Sequence, residues 1–340
     1  MLKRLLTLAT NKIYNLPIVV LMPHSRCNCR CVMCDIWKAN QNKKEISQEE
    51  LQKHIQHFKQ LKVREVVLSG GEALMHQNLW ALCNLLRENG MKVTLLSTGL
   101  LLEKNASDIL KNLDEVIVSI DGTAAVHDRI RNVPNGFSKI VDGVNKIKKI
   151  KPTFRITARS VLQRYNFHDF INTVTTAKDI GFDQVSFLAA DVSTAAFNHT
   201  EQLSTERVGE IALSKEEALE FETIVERSFV ELKHVYDSKF IAENPVKMRK
   251  IVQYYKAING QGEFAGARCN APWVSAVIES DGSVLPCFFH KAYGNIYQQD
   301  FLDLINSKEA ISFRKNLNVS TDPICKMCVC SLHVGVNKMN

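Results

Sequence analysis

With 340 residues, 45% of them hydrophobic and 23% charged, the chain has ordinary globular composition and can bury a core without covalent staples. The net charge of +7 is modest and no Lys/Arg block is interleaved with aromatics, which argues against nucleic acid as a partner. No apolar run is long enough to span a membrane and Met1–Leu16 lacks a secretory apolar core, so the 10 cysteines read as cytoplasmic metal ligands rather than a disulfide framework.

Residues 1–15 form an amphipathic segment with Lys3, Arg4 and Lys12 and no acidic residue. It reads as a helix packed under the sheet rather than one lying on a membrane surface. From Leu16 onward, apolar runs recur at Leu16–Met22, Val63–Ser69, Met91–Ser97, Asp114–Ile120, Thr153–Val161 and Asp183–Ala189. Stretches of helical length separate them. Ser47 and Glu50 read as a capping box, and Gly90 and Gly181 as helix C-terminal caps. Six strands, each followed by a crossover helix, predict an α/β fold with a partial (β/α)6 barrel over 16–213, its active site at the C-terminal strand ends.

After Ala190 the pattern changes. Asp191–Leu213 reads as irregular, and 214–264 as a helical linker with helices at Ser214–Tyr236 and Pro245–Asn259. Residues 265–340 read as a small C-terminal domain, with a hairpin turning at Asp281-Gly282 and a helix over Phe301–Leu317.

Two groups of cysteines stand out. The first, Cys27-Asn28-Cys29-Arg30-Cys31-Val32-Met33-Cys34, follows the first strand. Cys27, Cys31 and Cys34 give C-x3-C-x2-C. Three thiolates on one loop can hold three irons of a 4Fe–4S cubane and leave the fourth iron open, whereas a fully ligated cluster needs four. Zinc is the alternative and wants four closed ligands, with His24 available as the fourth. Cys29 lies out of ligand register and reads as a bystander. The second group is Cys269, Cys287, Cys325, Cys328 and Cys330. A C-x17-C pair plus a distant C-x2-C can close four ligands around one centre, and zinc would accept this set too. Cys83, among Leu82, Leu85 and Leu86, reads as core.

The first motif resembles the signature of the radical S-adenosylmethionine (SAM) superfamily. Further parts fall in the family's order. Ser69-Gly70-Gly71-Glu72, ending the second strand, resembles the motif that contacts the SAM amino group. Ser119 and Asp121, ending the fourth strand, stand where relatives place polar groups on the SAM ribose, and His127-Asp128-Arg129-Ile130-Arg131 also resembles the family pattern. Met33 occupies the position that packs near adenine. Ala73 stands where the family usually has proline. Arg159 and Asn166, at and after the fifth strand, face SAM or substrate, or else the surface. His127 reads as a structural hydrogen-bonder and His290 as a group behind the ligands.

The second cysteine group resembles the Twitch domain, a shortened SPASM domain. That resemblance implies one auxiliary 4Fe–4S cluster on Cys269, Cys287, Cys325 and Cys328, with Cys330 left as a hydrogen-atom donor or as a replacement for Cys328. The family's chemistry implies reductive cleavage of SAM to a 5′-deoxyadenosyl radical, fed by an electron donor such as flavodoxin or ferredoxin. Net oxidation is expected ahead of epimerisation. Only 26 residues precede Cys27, too few for a fused peptide-recognition domain, so a small, carbohydrate-like substrate is expected ahead of a peptide. A non-catalytic iron–sulfur or zinc redox sensor is the reading from another class.

Overall fold

A computed structural model of the chain describes residues 2–41, 43–197 and 203–335. Six strands carry the first half: β1 Ile18–Leu21, β2 Glu65–Leu68, β3 Lys92–Ser97, β4 Glu115–Ser119, β5 Arg155–Leu162 and β6 Gln184–Ala189. They coincide with the six apolar runs. Neighbours pair in parallel and in register, Ile18 with Glu65 and Glu115 with Arg155. Alternation sorts the side chains. Val19, Leu21, Val66, Leu68, Val116 and Val118 are fully buried under the helices, while Ile18, Val20, Val67, Leu96, Ile117 and Arg159 line an interior cavity.

The C-terminal region joins this sheet. Strands β7 Ser275–Ile278, β8 Ser283–Leu285 and β9 Gly294–Asn295 extend it in the order β6-β5-β4-β3-β2-β1-β7-β8-β9. β7 runs parallel to β1, and the β7–β8 hairpin turns at Asp281-Gly282 as expected. The sheet is largely parallel and does not close, which is a partial barrel. The auxiliary cysteines are thereby fixed against the strand that leads into the first cysteine loop.

Several local expectations are modified by tertiary contacts. Ser47 caps the helix Gln48–Gln60 through Glu50 N at 3.1 Å, but the Glu50 carboxylate turns away to Lys53 and His54, so the box is half made. It is complete at Ser214 and Glu217. The expected helix Ser214–Tyr236 breaks at Leu232, and Phe301–Leu317 breaks at Asn306-Ser307. There Asn306 binds the backbone of Ile13 while Ser307 caps the following helix. The stretch expected to be irregular holds a helix, Thr205–Ile211; residues 198–202 lie outside the described residues.

The helix Leu2–Thr10 does not bury its leucines. Arg4 and Thr7 face the protein, with Arg4 donating to the Val334 and Gly335 carbonyls. Leu2, Leu5, Leu6 and Leu8 are 40–72% exposed. Two backbone acceptors captured the arginine, and the helix rolled its apolar face outward. Among the described residues no helix is long and apolar enough to cross a membrane.

Candidate functional site

The first cysteine loop leaves β1 and is held from three sides. Asn40 exchanges two hydrogen bonds with the Cys27 backbone, each 2.9 Å. Arg30 N and Val32 N donate to the carbonyls of Arg131 and Ile130. Glu72 N donates to the Arg26 carbonyl at 2.9 Å. Cys31 is buried, Cys27 and Cys34 half-buried. The Cys29 thiol, and then the charge of Arg131, pull Cys31 down to about 7, against its burial; burial pushes Cys34 up to about 12. Cys29 itself is driven upward by its bonds to Cys27 and Cys31. It sits between two proposed ligands, bonded to both thiols.

Gly70 and Gly71 serve the loop directly. A Cβ at Gly71 would lie 2.2 Å from the Arg26 carbonyl oxygen, and Gly70 adopts φ +107°. The close approach that requires glycine at Gly71 is therefore to the cysteine loop. Half-buried Ser69 donates its backbone N–H to the Leu21 carbonyl. Glu72, expected against an ammonium, is fully buried, and its two oxygens accept from Leu74 N, Ser97 Oγ, Thr98 N and Thr98 Oγ1 at 2.6–3.1 Å. Burial raises its pKa. With four donor groups on one carboxylate, Glu72 ties the end of β2 to the end of β3. Thr98 Oγ1 passes the contact on to Asn28 of the cysteine loop at 2.9 Å.

Asp121, expected against a ribose, is likewise turned inward. Its Oδ2 receives Arg131 Nε and Nη2, both at 2.6 Å, and its Oδ1 receives Val161 N at 2.9 Å. Arg131 Nη1 lies 3.6 Å from Cys31 Sγ. A buried carboxylate thus aims a guanidinium at the Cys31 sulfur. Arg131 ends the helix Ala124–Arg131, inside the run quoted above, and its role was legible only as part of a motif. His127 Nδ1 accepts from Asp121 N at 3.2 Å, and burial lowers the ring to about 4, so it is neutral and structural. Asn166 donates to the Asp121 and Val161 carbonyls and is buried. Ser119 and Arg159 are paired across β4 and β5 on the interior face, and Arg159 donates to Ser186 Oγ at 3.2 Å. Met33 is buried in the core.

The second cysteine set converges. Cys269, Cys287, Cys325, Cys328 and Cys330 line one cavity of about 290 Å³ with Arg159, Ile18, Val67 and Leu96 from the barrel interior. Ala271 N donates to Cys269 Sγ at 3.4 Å, and His290 Nε2 lies 3.4 Å from Cys325 Sγ. Burial pushes Cys325 up to about 12 and raises Cys330, whose charged neighbours are Arg159 and Lys247. Phe288, Phe289 and His290 separate this cavity from a second of about 570 Å³, which borders Gly70, Gly71, Met22 and Phe197.

The first donor set suits an iron–sulfur cluster better than zinc, whereas beside the second set His290, Asp322 and Cys325 bring their ligand atoms within 4.8 Å of one another. The sulfurs of Cys27, Cys31 and Cys34 do not all lie within 4.8 Å of one another, whereas ligands of one zinc ion stand about 3.8 Å apart, from a Zn–S bond near 2.3 Å. His24, the available fourth zinc ligand, has Nδ1 3.0 Å from Glu45. The cavity beside Gly70 and Gly71, bordered by Ser25 and Ile36 on either side of the cysteine loop, leaves room for a small molecule.

A half-open parallel barrel with three cysteines on the loop after β1 defines a radical SAM protein, and residues 21–177 match the family model of the radical SAM superfamily. The second half narrows the class: residues 269–329 match the SPASM model, an iron–sulfur cluster-binding domain. The first domain implies SAM and a 4Fe–4S cluster, the second auxiliary iron–sulfur clusters. An Fe-coproporphyrin III synthase of Methanosarcina barkeri is 22% identical over 305 residues, 85% of this chain and 73% of that protein. The subtilosin biosynthesis protein AlbA of Bacillus subtilis is 25% identical over 291 residues, 83% of this chain and 58% of AlbA. Streptococcus suis SuiB bound to S-adenosylmethionine superposes with a TM-score of 0.66 at 13% identity, over 96% of this chain and 75% of SuiB. The AdoMet-bound anSMEcpe gives 0.63 at 20% identity, over 87% and 82%. These two likenesses show the fold.

Proposed function

We propose that the protein is a radical SAM enzyme that oxidises an apolar side chain of a peptide. Residues 16–213 form its catalytic barrel and 265–340 its auxiliary domain. Cys27, Cys31 and Cys34 hold the catalytic cluster, and four of the five C-terminal cysteines hold a single auxiliary cluster. When bound, the catalytic cluster and SAM supply a 5′-deoxyadenosyl radical that abstracts hydrogen, and the auxiliary cluster supplies an electron acceptor. Around them the chain's own residues orient and shield. Ser119 and Arg159 present polar groups at the interior strand ends, and Phe288 and Phe289 exclude water between the two cavities.

The observation that carries the substrate reading is the inner cavity. Its barrel side is Ile18, Val20, Val67, Leu96 and Ile117, with Arg159 as its charged group. Such a wall offers few partners to the hydroxyls of a carbohydrate. It suits an apolar group with a carboxylate or backbone carbonyl facing Arg159. An auxiliary cluster on the cysteine side takes part of the 290 Å³, which leaves the barrel side room for one side chain rather than a whole macrocycle, and the wider outer cavity gives a peptide a way in. The naming of AlbA for bacteriocin biosynthesis supports the same class. A tetrapyrrole substrate is the second reading, supported by the long alignment with the Fe-coproporphyrin III synthase.

The test is anaerobic turnover of reconstituted protein with SAM and dithionite or reduced flavodoxin. Formation of 5′-deoxyadenosine that rises with an apolar peptide, which loses two hydrogens in mass, supports the reading. Stimulation by an iron porphyrin alone overturns the peptide assignment, and no 5′-deoxyadenosine under any condition overturns the enzyme class.

A further inference from the structure

Away from the cysteines, a separate set of metal-ligating side chains gathers where the helix Gln48–Gln60 meets the C-terminal region. His54 and His57, three residues apart, share one helix face. Asp300, just before the helix Phe301–Ile305, faces them and makes no side-chain capping bond. One ligand atom from each of the three lies within 4.8 Å of the others.

The nitrogens are poised for a ligand. His54 is 2% exposed, and its Nε2 lies 3.3 Å from Glu50 Oε1, while Lys53 holds the other Glu50 oxygen at 2.6 Å. A carboxylate on one ring nitrogen fixes the proton there and leaves the opposite nitrogen as a lone pair, as behind metal-bound histidines generally. The opposite nitrogen is Nδ1. Both His54 Nδ1 and His57 Nδ1 are shut off from solvent and have no hydrogen-bond partner. Buried imidazole nitrogens ordinarily find one. A surface hollow lined by Glu50, Lys53, His54, Asp300 and Asp303 opens beside two of the three residues.

We propose that His54, His57 and Asp300 bind a divalent transition ion, and that the ion is zinc. Two imidazoles and a carboxylate are borderline donors that suit zinc over calcium or magnesium, and bonds near 2.0–2.1 Å require the three groups to close by only about 1 Å. Water completes the coordination. The ion clasps the barrel's first long helix to the C-terminal region, across the same junction as the Phe58–Phe301 ring contact at 5.1 Å. It is a structural site, separate from both cysteine sets.

The experiment uses the anaerobically reconstituted full chain, exposed to zinc chloride and then washed with a weak chelator. Zinc and iron per chain are measured by mass spectrometry, and thermal unfolding is followed with and without zinc. The parent is expected to keep about one zinc with its iron unchanged and to melt higher with zinc. His57→Gln and Asp300→Asn alter half-exposed and exposed side chains, so both should keep their iron yet lose the zinc and the thermal response. Zinc retained equally by parent and both variants, or not taken up by the parent, overturns the site. Should one variant lose iron as well, the other decides.

Discussion

Arg131 stands between Asp121 and Cys31, with its guanidinium 2.6 Å from the carboxylate and 3.6 Å from the sulfur. The pair is buried, so the positive charge reaches the cluster loop with little screening. Arg131→Met leaves the Asp121 carboxylate buried and unpaired, which is expected to cost about 3 kcal/mol or more. It also removes a positive charge from a ligand sulfur, which disfavours the more negative, reduced cluster. The expected result is a lower melting temperature together with a more negative midpoint potential in an EPR-monitored redox titration. Arg131→Lys, which keeps the charge and loses the two-pronged contact, should fall between. An unchanged midpoint in Arg131→Met would show that the guanidinium serves only Asp121.

Gly71 sets how closely β2 approaches the cysteine loop. In Gly71→Ala the new methyl meets the Arg26 backbone at 2.2 and 2.6 Å, and backbone does not yield as a flexible side chain does. The loop carrying Cys27 must move outward. Overpacking of this kind costs about 1–3 kcal/mol. Reconstituted parent is expected to hold about eight irons, as for two cubanes, and Gly71→Ala about four, with the auxiliary set intact. Iron assays together with EPR of each cluster check this. Full iron in the variant would show that the loop tolerates the shift.

His127 supplies a pH dependence. Burial, and then the charge of Arg131, hold its pKa at about 4, below the ordinary 6.5, and the neutral ring accepts from Asp121 N. Between those values the unfolded chain binds a proton that the folded chain does not. Stability from this group is therefore complete above pH 6.5 and falls as pH drops toward 4. The integrated loss is on the order of 3 kcal/mol. His127→Gln retains an acceptor and does not titrate, so its melting temperature should fall less steeply between pH 7 and pH 4.5. Identical slopes in parent and variant would assign the acid sensitivity to other groups, His24 first among them.

The six barrel strands could be read from sequence because each is an apolar run bounded by turn residues, and the observed strands fall inside those runs except that β5 runs one residue further, to Leu162. The first cysteine set was legible for a similar reason, since its ligand spacing is local, whereas the second joins a C-x17-C pair to a distant C-x2-C. What escaped is long-range. Arg131 and Cys31 are 100 residues apart, and Glu72 and Thr98 are 26 apart. Motif spacing marked Glu72 and Asp121 but could not show that protein donors saturate their oxygens. Helix breaks at Leu232 and Asn306 escaped because the bonds to Asn306 come from Ile13, at the other end of the chain. Residues 1–15 read as an amphipathic helix packed under the sheet, yet the carbonyls that capture Arg4 belong to Val334 and Gly335.

Cys330 separates oxidation from epimerisation. All five C-terminal cysteines line the inner cavity, so a cysteine left out of a four-ligand cluster still faces that space. Cys330 is half-buried in electrostatic reach of Arg159, which also borders that space. A thiol there is placed to return a hydrogen atom to a substrate radical, and equally to ligate iron. Cys330→Ala, assayed for iron and product together, distinguishes these roles. Under the oxidation reading, with Cys269, Cys287, Cys325 and Cys328 as ligands, the variant keeps about eight irons and forms the same product. Loss of about four irons would make Cys330 a ligand and release another cysteine from the set, with Cys328 the first to test. Full iron, 5′-deoxyadenosine still formed, product lost, and solvent deuterium at one carbon of the parent's product would make Cys330 the hydrogen donor and the reaction an epimerisation.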